Sequence, residues 1–165
     1  MTNDITVRKM EAADAAELSD ILNEIIRIGG TTAIEQVQTV HTINHYFFNG
    51  PDCVSCFVAV DSTGKIAGFQ GLAKSAKLPS GWGSIATFAR VNGTQKGIGS
   101  ALFPATSAFA KDYGLSWIDA TIRADNTGGL AYYDRMGFET YAIEADVPLE
   151  NGHSVDRISK RRAVA

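Results

Sequence analysis

Cysteine is scarce, basic charge is not in excess, and long apolar runs are missing. The 165-residue chain has two cysteines and a formal charge of −3, from 15 Lys and Arg against 18 Asp and Glu. Without a basic field there is nothing to hold a nucleic-acid backbone or an anionic membrane surface, so neither is expected as a partner. No segment approaches the roughly 20 apolar residues that span a bilayer, and Met1 to Arg8 does not lead a basic segment into an apolar run of the signal-peptide kind. The expectation is a soluble protein of the cytoplasm. Cys53 and Cys56 form a lone C-x-x-C, with His41 and His45 upstream at the i, i+4 spacing of one helix face. Four such side chains can ligate zinc. The order is unusual for a structural zinc site, however, and there is no second C-x-x-C, so the reading is buried thiols and a histidine pair, with no metal. Val54, Phe57, Val58 and Val60 put the cysteines at the mouth of an apolar strand, not at a helix N-terminus that would stabilise a reactive thiolate.

What the sequence does hold is apolar residues, 45% of the total, enough for one core in a chain too short for two; residues 1–165 are read as one domain. Ile5 to Arg8 alternates as a strand. Asp14 can cap a helix through Leu18, Ile21, Leu22, Ile25 and Ile28, stopped by Gly29-Gly30. Thr31 to Gln38 has no period. Val40 to Phe48 predicts a second helix, ended by Asn49-Gly50-Pro51. Phe57 to Val60 and Lys65 to Leu72 predict two strands joined by Asp61-Ser62-Thr63-Gly64, and Gly83 to Val91 a third. Gly97 to Tyr113 follows a helical period with Pro104 inside, where a kink or loosened turn is expected, and Gly114 supplies the stop. Leu115 to Ile122 is an apolar strand without clean alternation, suited to burial on both faces in a parallel pair. A short helix from Gly128 to Met136 follows the N-cap oxygens of Asp125-Asn126-Thr127. Two last strands, Glu139 to Val147 and His153 to Ser159, flank an Asn-Gly hairpin turn. Lys160 to Ala165 is read as a frayed, solvated end. The order β-α-α-β-β-β-α-β-α-β-β predicts an α/β fold with a mixed sheet and a parallel crossover between Gly83 and Ile122.

Between strand and helix lies Asn92-Gly93-Thr94-Gln95-Lys96-Gly97-Ile98-Gly99-Ser100. Unpaired N–H groups of the helix's first turn converge there, and glycine lets an anion approach the backbone. A Gly-x-Gly equally serves close helix-sheet packing, and both readings stand at this point. Two phosphate classes lose ground. A Walker A loop has its lysine after the last glycine, whereas Lys96 precedes Gly97; a dinucleotide fingerprint has a third glycine where Leu102 stands. A pyrophosphate held by backbone amides without a required metal remains, as a coenzyme A carrier needs.

These residues resemble the GCN5-related N-acetyltransferases (GNAT), whose pyrophosphate motif is Gln/Arg-x-x-Gly-x-Gly/Ala, here Thr94-Gln95-Lys96-Gly97-Ile98-Gly99. A second block, Asn126 to Phe138, is similar to the family's Asn-x-x-Ala-x-x-x-Tyr-x-x-x-Gly-Phe. Thr94 departs from the usual long polar residue and Gly129 from the usual alanine. The resemblance implies a GNAT-type fold and an N-acetyltransferase that takes acetyl-CoA as its acyl donor. It implies that Gln95, Lys96, Gly97, Ile98, Gly99 and Ser100 hold the pyrophosphate, and that Thr87, Phe88 and Ala89 run along the pantetheine, one N–H polarising the thioester carbonyl. It also implies that Asn126 contacts the coenzyme and that Tyr133 protonates the leaving thiolate; the adjacent Tyr132, an aromatic at helical spacing, is read as core packing.

The acceptor side is less marked. The amine must be neutral to attack, so a group must take its proton. Many relatives place a glutamate on the strand before the pyrophosphate turn, but Ser84 to Arg90 holds no acid. Gly30-Thr31-Thr32-Ala33-Ile34-Glu35 resembles the acceptor-side loop of the phosphinothricin-acetyltransferase branch, which makes Glu35 the candidate base and a small amino-acid-like amine or polyamine the expected acceptor; protein N-termini or lysines, and a non-catalytic acyl-CoA-binding module, are the alternatives. Arg90 can pair with a substrate carboxylate or form an ordinary ion pair. Relatives are often dimers, and the terminal hairpin with Tyr141, Ile143 and Val147 is the candidate homodimer surface.

Overall fold

Period-2 and period-3.6 patterns become the elements they indicate. A computed structural model of the chain describes residues 4–93 and 96–164. The described residues form β1 (Thr6–Lys9), α1 (Ala15–Ile28), α2 (Val40–Asn44), β2 (Cys53–Val60), β3 (Ile66–Ala73), β4 (Trp82–Ala89), α3 (Ile98–Tyr113), β5 (Trp117–Arg123), α4 (Thr127–Arg135), β6 (Glu139–Pro148) and β7 (Ser154–Ala163). The seven strands make one mixed sheet, ordered β1-β2-β3-β4-β5-β7-β6, so the expected α/β class holds.

Only β4 and β5 pair in parallel, and only through Trp82–Trp117, Gly83–Ile118 and Ser84–Asp119. Past that point β4 pairs with β3 alone as far as Ala89, and β5 with β7 alone as far as Arg123. The two strands therefore part at Ser84 and Asp119. Gly83 sits at the tight end, where a Cβ would lie 2.8 Å from the Leu115 side chain and 2.9 Å from that of Leu72.

The helices cover the sheet on both faces. On one, Leu18, Ile21 and Leu22 of α1 and Ile43 of α2 pack with Phe47 onto Val58, Phe69 and Phe88. On the other, Ile98 and Leu102 of α3 pack on Phe57, Ala59 and Ala67. Beside them Phe103 of α3 and Tyr133 of α4 meet Phe138, Ile85 and Ile122. Each fully buried aliphatic or aromatic side chain contributes about 1.5–3 kcal/mol. Phe47 meets Phe69 edge-on at 5.3 Å between ring centres, an arrangement favoured by the ring quadrupoles.

Three expectations shift. The second helix ends at Asn44 and continues as a wide π turn over His45–Asn49; Gly50 then passes so close to the His45 carbonyl that a Cβ would sit 1.8 Å from its oxygen. Strand β2 begins at Cys53, not Phe57, which places the C-x-x-C inside the sheet. Burial pushes the Cys56 thiol well above its ordinary value, and the Cys53 thiol donates to the Tyr46 carbonyl at 3.1 Å. Helix α3 runs unbroken through Pro104.

The largest correction concerns the C-terminal end. Lys160, Arg161 and Arg162 are not a frayed tail but the last full turn of pleat in β7, laddered to β5 as far as Ala163–Trp117. Their long apolar stems and planar or compact heads let basic side chains cover rings on both faces. Lys160 is buried, with Nζ donating to Asp134 at 2.7 Å and Thr140 at 2.8 Å. Arg161 lies over the Trp117 ring at 4.5 Å, and Arg162 over Phe103 at 4.9 Å. Removing residues 160–165 should therefore cost about 3 kcal/mol or more, about 6–12 °C in Tm for a domain of this size, by thermal denaturation. A truncated protein that melts within 2 °C or so of the full chain would restore the frayed-end reading.

Candidate active site

The turn singled out in the sequence joins the parted end of β4 to the N-terminus of α3. Gly97 is the N-cap of α3 in the left-handed region, with φ 78° and no atom within 4 Å of where a Cβ would be. Only glycine takes that conformation without strain. The N–H groups of Ile98, Gly99 and Ser100 open the helix and have no intrahelical acceptor, and the positive end of the helix dipole adds to them. Lys96, Gly97 and Ser100 are exposed at this point. Gln95 lies outside the described residues, as does Thr94.

Gly99 serves a different purpose. A Cβ there would lie 2.5 Å from the Tyr132 ring, and the Tyr132 hydroxyl donates to the Gly99 carbonyl at 2.8 Å. The packing alternative thus describes Gly99, and the turn alternative describes Gly97. Tyr132 is more than core filling: it bridges α4 to the first turn of α3.

Thr87, Phe88 and Ala89 form the end of β4, on the stretch that β5 has left. Phe88 is buried toward α1 and α2. Thr87 faces α4, and its Oγ1 lies 2.9 Å from the Tyr133 hydroxyl. Gln70, fully buried on β3, donates through Nε2 to Thr87 at 2.9 Å and to Tyr132 at 3.1 Å. Its Oε1 has no protein partner among the described residues. Burial pushes the Tyr133 phenol far above its ordinary value, so it keeps its proton at neutral pH. A chain of hydroxyls and one amide, Tyr132–Gln70–Thr87–Tyr133, therefore lines the junction of β4, α3 and α4.

Asn126 caps α4: its Oδ1 accepts from the Gly129 N–H at 2.9 Å, and its Nδ2 donates to the Thr31 carbonyl at 3.1 Å. A Cβ on residue 129 would come within 2.6 Å of that amide, which accounts for glycine at a position where alanine was anticipated. Arg123 donates to the Thr32 carbonyl at 3.2 Å. Together the two pin the α1–α2 loop to the end of β5.

That loop borders a cavity of about 470 Å³ on the α1–α2 face, whose floor includes Gly71, Ala73, Ser84 and Ala86 and whose walls include Ile34, Glu35, Tyr46 and Phe47. Glu35 is at its rim, where its carboxylate accepts from the Glu150 N–H at 3.1 and 3.3 Å and so ties the loop to the β6–β7 turn. Arg90 does not face this cavity's floor; it donates to the Ile66 carbonyl at 2.8 and 3.1 Å and stands 3.6 Å from Glu17, a structural role. Among the described residues no cluster of three or more potential metal ligands occurs, and no helix is long and apolar enough to cross a membrane.

Two buried polar residues escape sequence reasoning, Gln70 and Asp119. Each is the one amide or carboxylate in a run otherwise read as core strand, and that interruption was the available signal. Asp119 is 2% exposed. Its Oδ2 accepts from Tyr141 at 2.5 Å and its Oδ1 from Thr121 at 2.9 Å. Burial raises its carboxyl above the ordinary aspartate value of 3.8, while both hydroxyls pull it back. The folded-state value lies above the unfolded one, so ionised Asp119 costs stability at neutral pH, and the cost disappears once pH falls below the unfolded value. Asp119→Asn should raise Tm at pH 7 by about 2–4 °C, the effect of about 1 kcal/mol at this chain length. The gain should vanish as pH is lowered through 3.8, and a loss of Tm at pH 7 would contradict it.

The family model for the acetyltransferase (GNAT) domain matches residues 7–159. Among curated proteins no match is found. Solved structures that resemble the chain include an N-acetyltransferase from Staphylococcus aureus Mu50, 17% identical, with TM-score 0.83 and coverage of 98% of this chain and 99% of that one. A GNAT superfamily phosphinothricin acetyltransferase from Sinorhizobium meliloti in complex with acetyl-CoA is 20% identical, with TM-score 0.83 over 96% and 88% of the two chains. A ribosomal-protein-alanine N-acetyltransferase from Brucella melitensis is 17% identical, with TM-score 0.83 over 96% and 99%. Identities this low establish the shared fold, and the family model supplies the membership: the chain belongs to the GNAT acetyltransferases.

Proposed function

We propose that this acetyltransferase transfers the acetyl group of acetyl-CoA directly to the primary amine of a small molecule, an amino acid, an amino-acid-like compound or a polyamine. The observation that carries the reading is the parting of β4 from β5 at the end that leads into the α3 N-terminus, with a cavity over β3 and β4 on the opposite face of the sheet. The left-handed Gly97 and the open N–H groups of Ile98, Gly99 and Ser100 fit a pyrophosphate, with the exposed Lys96 beside them. The free edge of Thr87, Phe88 and Ala89 fits an extended amide-bearing arm, as an added strand would. Acetyl-CoA supplies the activated acyl carbon. The N–H groups of the β4 edge can accept the charge that develops on the carbonyl oxygen, and Asn126, at the head of α4, borders the same slot. Tyr133 holds a proton at the Thr87 hydroxyl for return to the departing thiolate.

On the acceptor side the volume suits a small molecule, since such cavities run to about 300–1,000 Å³. Its walls are mainly apolar, with Glu35 at the rim as the carboxylate that meets an incoming ammonium. A protein N-terminus is the second reading, favoured by the exposed Tyr46 among the residues that line the cavity. Cytoplasmic location and a homodimer complete the reading; Ile143, 65% exposed on the edge strand β6, supports an interface at the terminal hairpin.

Calorimetric titration should show saturable binding of acetyl-CoA, and its absence at millimolar coenzyme would overturn the reading. Tyr133→Phe should lower kcat about 10²-fold while leaving coenzyme affinity within about 3-fold, measured by thiol release over a panel of amino acids and polyamines. Equal turnover would take Tyr133 out of the acid role.

A further inference from the structure

Two carboxylates stand near the cavity, and they are held differently. Glu35 is engaged with the Glu150 backbone at the rim. Asp119 lies one strand beyond the floor, paired with the lining residue Ser84. The register row runs Ala73–Ser84 between β3 and β4, then Ser84–Asp119 between β4 and β5. Paired residues point to the same face, and Ala73 and Ser84 line the cavity. Asp119 is thus one strand spacing, about 4.8 Å in backbone terms, from the cavity floor. It occupies the last pair before β4 and β5 part, the point where an acceptor in the cavity and an acyl group in the slot approach one another.

No ion pair offsets its burial. Among the described residues no cation stands within ion-pair distance of Asp119. Its ladder partner on β7, Arg161, instead sends its guanidinium over the rings of Trp82 at 5.6 Å, Trp117 at 4.5 Å and Tyr141 at 5.2 Å. A buried carboxylate without a cation is costly unless something requires it. Two hydroxyls hold it, and one of them is exceptional in its placement. Tyr141 falls at the break in the β6–β7 ladder between Thr140 and Ala142, and such bulges re-aim side chains. Its ring stands edge-on to Trp82 at 5.7 Å and is 39% exposed, while its hydroxyl reaches in to Asp119. Trp82, Ser84 and Ala86 share one face of β4, so the Tyr141 ring borders the same side of the sheet as the cavity. On the opposite side of the parting, Tyr133 is near enough for the charge of Asp119 to bear on its hydroxyl.

We infer that Tyr141 and Asp119 form the relay that takes the proton from the attacking amine, an assignment that rests on the acetyl transfer proposed above. As the amine nitrogen bonds to the acetyl carbon, its proton passes to Tyr141 Oη while the Tyr141 proton passes to Asp119 Oδ2. The carbon–sulfur bond breaks, and the thiolate takes the Tyr133 proton. One proton is gained at Asp119 and one lost at Tyr133, and exchange with solvent restores both. Tyr141 touches the amine; Asp119 is the positioning residue that makes it basic. Water in the acceptor's place passes its proton along the same route, giving slow hydrolysis.

The test compares Asp119→Asn and Tyr141→Phe with the unmodified protein. Acetyl-CoA affinity is measured by calorimetry, and thiol release from acetyl-CoA is followed with L-phenylalanine, L-methionine and spermidine as probe amines and with water alone. Expected are a coenzyme Kd and KM within about 3-fold of the unmodified protein in both variants, and kcat about 10²-fold lower in each, since removing either member interrupts the same relay. The Tm of Asp119→Asn establishes that the variant is folded. Turnover within about 3-fold of the unmodified protein in an Asp119→Asn variant that binds acetyl-CoA overturns the relay and leaves the transferase reading intact. Failure of the unmodified protein to bind acetyl-CoA overturns both.

Discussion

The short parallel pairing of β4 with β5 is the constraint on which the rest depends. Three residue pairs hold the strands together, and beyond them each strand commits its hydrogen bonds to its other neighbour. A parallel pair needs a crossover, and α3 is that crossover. Its N-terminus is therefore delivered to the open end of the parting, not placed there by any separate device. Close packing of Gly83 against Leu115 and Leu72 at the closed end, and the antiparallel ladders on both outer sides, keep the parting from closing.

Two chemically different regions follow from one gap. On the α3–α4 face, Gln70, Thr87, Tyr132 and Tyr133 place hydroxyls and an amide among apolar side chains, and all but one of the named polar atoms is satisfied by another member of the network. On the α1–α2 face, a largely apolar cavity adjoins a carboxylate held by hydroxyls. The loop over that cavity, which has no period of its own, is fixed from three directions: Asn23 takes the Gln38 N–H at 2.7 Å, Arg123 and Asn126 take carbonyls at Thr32 and Thr31, and Glu150 donates to Glu35. Its order is tertiary in origin.

Two buried polar side chains stand beside the parting of β4 and β5. Asp119 and Gln70 interrupt apolar strands, and one Gln70 oxygen goes unpartnered. Two other buried charges are paired: Asp14 takes both Arg8 nitrogens at 2.8 and 3.0 Å, which holds its carboxyl below the ordinary range, and Lys160 meets Asp134. Beside the gap, by contrast, stand a buried carboxylate held only by hydroxyls and a buried amide oxygen without a protein partner.

The amino-acid sequence alone determined the order of the elements, because alternation, helical period and glycine stops act over a few residues. It also determined the glycine turn before α3, because the left-handed cap at Gly97 and the open helix N-terminus are local features of the backbone. Where neighbours in space decide, it fell short. The basic end looked solvated until rings of β4, β5, β6 and α3 were found beneath it. Gly99 was ambiguous until Tyr132 was found against it. Cys53 and Cys56 gained meaning only as a strand interior. The acceptor side was least legible, since Glu35, Tyr141 and Asp119 are far apart in the chain. Their relation is set by sheet register and by one bulge, and hydrogen bonds between distant strands leave no period in the sequence.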